Sequence, residues 1–204
     1  MPPPAIKTVR EVIYYQYAKI ISESSGFGKT NYGMIMAKWK QLVSGEIHWS
    51  TSVHEWLKEK ENPSQCIYCG ETKELTVEHI LPRHCGGEDV PDNVVMVCKS
   101  CNSSKGKKRL YEWRGLNAKD SYHSIAEGKY LKYLYSLHEK RGTLDESDVT
   151  KLCTECNMQK NCEKDNSIGK LSVYCIEGCF FNDHKLYEQS TIITTPARHR
   201  MGQF

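Results

Sequence analysis

Apolar residues in the first third of the chain recur at the spacing of a helix face. Val9, Val12, Ile13, Tyr17, Ile20 and Ile21 fall on one side of a helix over residues 7–22. The stretch "SSGFGKTNYG" breaks the pattern, and Ile35, Trp39, Leu42 and Val43 resume it. Ser52 and Glu55 have the Ser-x-x-Glu spacing of a capping box, which predicts a third helix running to the break at "ENPSQ". From 64 to 115 the rhythm changes: short apolar runs alternate with turn residues, predicting brief strands, and a basic helical segment closes the region. Ile125, Tyr130, Leu131, Leu134, Tyr135 and Leu137 then return to near-helical spacing, with Gly142 as the stop. This aromatic stripe reads as core packing rather than a base-stacking surface.

The pattern divides the chain into an N-terminal helical region (1–63), a central region (64–115) and a helical, cysteine-rich C-terminal region (116–204). "GFGKT" at Gly26–Thr30 ends like a phosphate-binding loop, but Glu23 stands where that loop needs glycine. A helix precedes it where a strand is required, so a turn between helices accounts for the glycines.

Composition changes this picture modestly. The 204 residues are 39% hydrophobic and 26% charged, as in a foldable globular chain, and no apolar run approaches the length of a membrane span. The N-terminus lacks the apolar core of a signal peptide, so the cytoplasm is the expected location. A net charge of +3 says little by itself. Its distribution says more, since six basic residues and a single acid lie between Lys99 and Arg114.

Ten cysteines fall into two groups of five. In a reducing compartment, clustered cysteines at short spacings point to metals rather than disulfides. "CIYC" (Cys66, Cys69) and "CKSC" (Cys98, Cys101) are two Cys-x2-Cys pairs with 28 residues between them. Four thiolates complete a tetrahedral zinc and leave no position for substrate, so this site is structural. Cys85 stands outside the pairs as a free or packed thiol.

The zinc pins the ends of a segment holding Glu78 and His79 side by side, then Pro82, Gly86-Gly87, Asn93 and Cys-x2-Cys-Asn-x2-Lys. From 66 to about 109 this resembles the HNH, or ββα-metal, endonucleases in their four-cysteine form. The resemblance implies an α+β fold: a zinc-braced ββα core flanked by the N-terminal helices and by a C-terminal helix with its cysteine-rich unit. It also implies roles. His79 is the general base, a neutral imidazole being able to take a water's proton at neutral pH. Glu78, where aspartate is more usual, and Asn102, where histidine is common, share a divalent ion such as Mg2+ or Mn2+; both offer hard oxygen ligands. Asn93 fixes the loop and orients His79 by hydrogen bonding. Lys105 reaches the scissile phosphate, and Lys107, Lys108, Arg109 and, more weakly, Arg83 contact backbone phosphates. His84 is expected to be an exposed loop histidine.

Cys153, Cys156, Cys162, Cys175 and Cys179 form the second group, one more thiol than a metal site needs. Their spacing suits a second zinc and also resembles the iron-sulfur spacings of some nucleases, and free thiols are the third reading. The expected activity is metal-dependent cutting of double-stranded DNA, of restriction, mobile-element or phage-defence type, by a monomer or a homodimer. The alternatives are a zinc module that binds nucleic acid without cutting, and an RNA- or structure-specific nuclease of the same family.

Overall fold

In the computed structural model, residues 2–48, 64–116 and 123–181 are described. Helix α1 (Val9–Ser24) starts where Thr8 and Glu11 close a reciprocal cap: the Thr8 hydroxyl accepts from the Glu11 amide at 3.2 Å, and the Glu11 carboxylate accepts from the Thr8 amide. The expected apolar face is buried, with Val9, Val12, Ile13 and Tyr17 at 0% exposure. After the Gly26–Thr30 turn, Asn31 caps α2 (Tyr32–Val43), which packs on α1 through Ile35, Trp39 and Leu42. The helix expected from Ser52 lies outside the described residues.

The centre is a ββα unit. Strands β1 (Leu75–His79) and β2 (Val94–Cys98) pair antiparallel, with Leu75 opposite Cys98 and His79 opposite Val94. Helix α3 (Lys99–Lys105) follows β2 without a linker, its N-cap being Cys98. The expected fold class, α+β with a four-cysteine cluster in the central region, is what the chain adopts.

After α4 (Leu110–Arg114) comes the long helix α5 (His123–Arg141), ended by Gly142 at φ 71°. Tyr130, Leu131 and Leu134 are fully buried, so the stripe is core, and α5 packs against α1. Three short helices complete the described fold: α6 (Val149–Thr154), α7 (Gln159–Lys164) and α8 (Val173–Glu177). Among the described residues no helix is long and apolar enough to cross a membrane.

The junction of α4 with α8 rests on buried charge. Glu177 accepts from the amides of Tyr111 at 3.0 Å and Glu112 at 2.7 Å and from the Tyr130 hydroxyl at 3.0 Å. Burial pushes its carboxyl up to about 7, against the pull of Arg109. Arg109 in turn donates to the carbonyls of Glu177 at 3.2 Å and Phe180 at 3.1 Å, and its Nε to Glu112 at 3.1 Å.

Candidate nuclease site

The four cysteines of the first group converge. All four sulfurs lie within 4.8 Å of one another, and the Sγ atoms of Cys69 and Cys98 are 3.7 Å apart. Two thiolates on one tetrahedral zinc stand about 3.8 Å apart, so the donors and their spacing fit that ion. The Cys101 amide donates to Cys98 Sγ at 3.4 Å and holds that thiol below its ordinary pKa, the thiolate character a metal ligand needs. Because Cys98 both ends β2 and caps α3, the cluster sets the angle between strand and helix.

Strand alternation sends Glu78 and His79 to opposite faces of β1. Glu78 faces inward, 7% exposed, where its carboxylate pairs with the Lys105 ammonium and accepts from the Tyr68 hydroxyl at 3.2 Å. Burial raises the Glu78 carboxyl, and Lys105 opposes the rise. Lys105 is 1% exposed and also donates to the His79 carbonyl at 3.0 Å. The lysine expected at a phosphate is thus folded beneath the strand. Asn102 lies one helical turn before it on α3, half-buried, on a neighbouring part of the same face.

His79 faces the loop. Its Nε2 meets a carboxylate oxygen of Asp89, whose other oxygen pairs with Arg83. These two partners hold the exposed Asp89 carboxyl below its usual range, Arg83 first. No motif in the sequence marked Asp89. The available signal was an acid just past Gly86-Gly87, opposite in charge to Arg83 just before them.

Asn93 is fully buried and works on the backbone of that loop. Its Oδ1 accepts from the Leu81 amide at 2.7 Å, and its Nδ2 donates to the carbonyls of Leu81 at 3.1 Å and Glu88 at 3.0 Å. The partners of the His79 ring are the Asp89 carboxylate and the Arg83 Nε–H, at 3.4 Å, while Asn93 closes the turn. Gly86 takes φ 91°, and a Cβ on Gly87 would overlap the Leu81 carbonyl, so both glycines are required by the turn. From outside the ββα unit, the Tyr133 hydroxyl of α5 accepts from the Glu88 amide at 2.9 Å and donates to the Gly86 carbonyl at 3.2 Å.

The basic surface is smaller than the sequence implied. Arg109, expected at backbone phosphates, is 2% exposed and spends its guanidinium inside the fold, on Glu112 and on the backbone after α8. Lys107 and Lys108 remain exposed and line, with His84 and Asn157, an open cleft of about 290 Å³. Arg83 is exposed beside His79, His84 is exposed as expected, and Cys85 is a packed thiol.

The second cysteine group lies wholly within the described residues, yet no three of its sulfurs approach as closely as the first four do.

Residues 66–112 match the model of the HNH endonuclease family. No curated protein and no solved structure matches the chain. The matched segment, under a quarter of the chain, holds the four-cysteine cluster, both strands, α3 and the side chains gathered around His79, and over that stretch the chain is similar to the HNH endonucleases.

Proposed function

We propose that the chain is a metal-dependent endonuclease that hydrolyses phosphodiester bonds of double-stranded DNA, in the cytoplasm, in a restriction, mobile-element or phage-defence setting. The observation that carries this reading is the His79–Asp89 pair on a loop tied by Asn93, inside a segment that matches the nuclease family. With Nε2 engaged by Asp89, Nδ1 is the nitrogen left to take a proton from water. Asp89 fixes the ring and stabilises the imidazolium that forms.

Glu78 and Asn102 would hold Mg2+ or Mn2+, which supplies charge neutralisation at the phosphate and the leaving oxygen. The donor set fits: one carboxylate and one amide carbonyl are hard ligands, and the place beside Glu78 is already taken by a cation, the Lys105 ammonium. An ion and Lys105 therefore compete for one carboxylate. Lys107, Lys108 and Arg83 supply the exposed charge for backbone phosphates, and the regions 1–63 and 116–204 select the target.

The same ion pair supports a second reading. A Glu78 fully occupied by Lys105 and Tyr68 suits a zinc-braced module that binds nucleic acid without cutting it. Incubation with plasmid DNA and with RNA, in Mg2+ or in EDTA, separates the two. Magnesium-dependent nicking or linearisation of plasmid supports the nuclease. Binding without any cutting supports the module, and cutting confined to RNA overturns the choice of substrate.

A further inference from the structure

The contrast between the two cysteine groups carries an inference about the second. Thiolates on one zinc at about 2.3 Å stand at most about 4.6 Å from each other, and about 3.8 Å in a tetrahedron. The four sulfurs of the first group lie within 4.8 Å of one another, near this limit, while no three sulfurs of the second come that close. The second group is nevertheless gathered in one place. Cys153 lies in α6, Cys156 in the turn after it, Cys162 in α7 and Cys175 in α8.

Two bonds tie the three helices together: the Asn157 amide, in the turn after α6, donates to the Gly178 carbonyl at 3.1 Å, and the Tyr174 hydroxyl of α8 donates to the Asp165 carboxylate at the end of α7. Cys156 Sγ accepts from the Met158 amide at 3.3 Å and lies so close to the end of α8 that a Cβ on Gly178 would overlap it. The negative charges of Cys153, Cys156 and Cys162 bear on one another, and those of Cys153 and Cys156 bear on Cys175. Cys179 differs in having Arg141 against it, the guanidinium donating to the Cys179 carbonyl at 3.1 Å.

A cofactor that separates its thiolates by more than two metal–sulfur bonds fits this spread. In an iron-sulfur cubane each cysteine binds a different iron, and bridging sulfides stand between the irons. Helices of five or six residues have little stability of their own, so a central cross-link is what such a region needs. We propose that Cys153, Cys156, Cys162 and Cys175 bind a four-iron iron-sulfur cluster, one thiolate per iron, with Cys179 outside the set.

The test is the metal content of the full chain purified without oxygen, and it does not depend on whether the protein cuts DNA. About one zinc, with about four irons and about four acid-labile sulfides per chain, is the expected result, in brown protein that bleaches with dithionite. If iron is absent on isolation, chain that keeps its zinc should take up iron and sulfide to the same ratio from ferric ion, sulfide and excess dithiothreitol under argon, the dithiol reducing half of the ferric ions as the cluster forms. Cys162→Ser should lose the iron and keep the zinc, while Cys179→Ser should keep both. Two zincs and no iron, or no uptake on reconstitution, overturns the cluster. Loss of iron in Cys179→Ser with retention in Cys175→Ser overturns the choice of fourth ligand.

Discussion

The Lys105 ammonium and the Glu78 carboxylate, 27 residues apart in the chain, meet in an ion pair whose side chains are 0% and 7% exposed. Removing either partner strands the other charge in the interior. Lys105→Ala and Glu78→Ala should therefore each lower stability by about 3–5 kcal/mol in urea denaturation. Lys105→Met keeps much of the volume and frees the carboxylate for an ion. Added Mg2+ should then raise Tm more in Lys105→Met than in the parent. An equal response in both proteins would show that Glu78 does not hold the ion.

His79→Ala should reduce cleavage by roughly two to four orders of magnitude, the usual contribution of a general base, while DNA binding and zinc content stay at parent levels. Free imidazole in the buffer should restore part of the rate, and extra Mg2+ should not. Asp89→Asn acts through His79, so its loss should be smaller, on the order of tenfold to hundredfold, and should fall on kcat rather than KM. Cleavage by folded His79→Ala at the parent rate would remove His79 from the mechanism.

Lys107 and Lys108 are the exposed remnant of a run that looks uniformly basic on paper. Replacing both with alanine should flatten the dependence of log affinity on log salt by about two, one per lost phosphate contact. Arg109→Ala should leave that slope alone. It should instead cost about 3–5 kcal/mol of stability, because the carbonyls of Glu177 and Phe180 would lose their buried donor and the Glu177 carboxylate the positive charge that favours it. A reduced salt slope in Arg109→Ala, with stability unchanged, would place Arg109 at the DNA.

Cys98 joins strand, helix and the four-cysteine cluster, so Cys98→Ser should lose the zinc and, with it, the packing of α3 on the hairpin. Elemental analysis reads the first effect, and hydrogen exchange of the β1 and β2 amides reads the second. Parent zinc content in this variant, or no zinc in the parent, would overturn the four-cysteine assignment.

The quartet of cysteines was legible in the sequence because Cys-x2-Cys fixes two ligands within one turn whatever surrounds it. Helix α5 was legible too, through its apolar period and the Gly142 stop. Lys105 and Arg109 were not, because lysine and arginine are ordinarily exposed and their burial depends on partners distant in the chain, Glu78 and the end of α8. Asp89 escaped for the opposite reason. It is a loop acid with no motif spacing, and only the folded turn brings it to His79.

Tyr133 gives the family match a second meaning. A fragment cut after residue 112 would carry all four clustered cysteines, the acid–histidine pair and α3, and would leave behind the phenol that bridges Gly86 and Glu88. It would also leave behind Lys129, whose ammonium reaches the Val94 carbonyl of β2 at 2.8 Å. The recognisable segment is therefore not a portable cutting tool. Its turn is held shut by a helix from the very region proposed to select the target, so strain on that helix during target engagement would be felt one residue from Asp89.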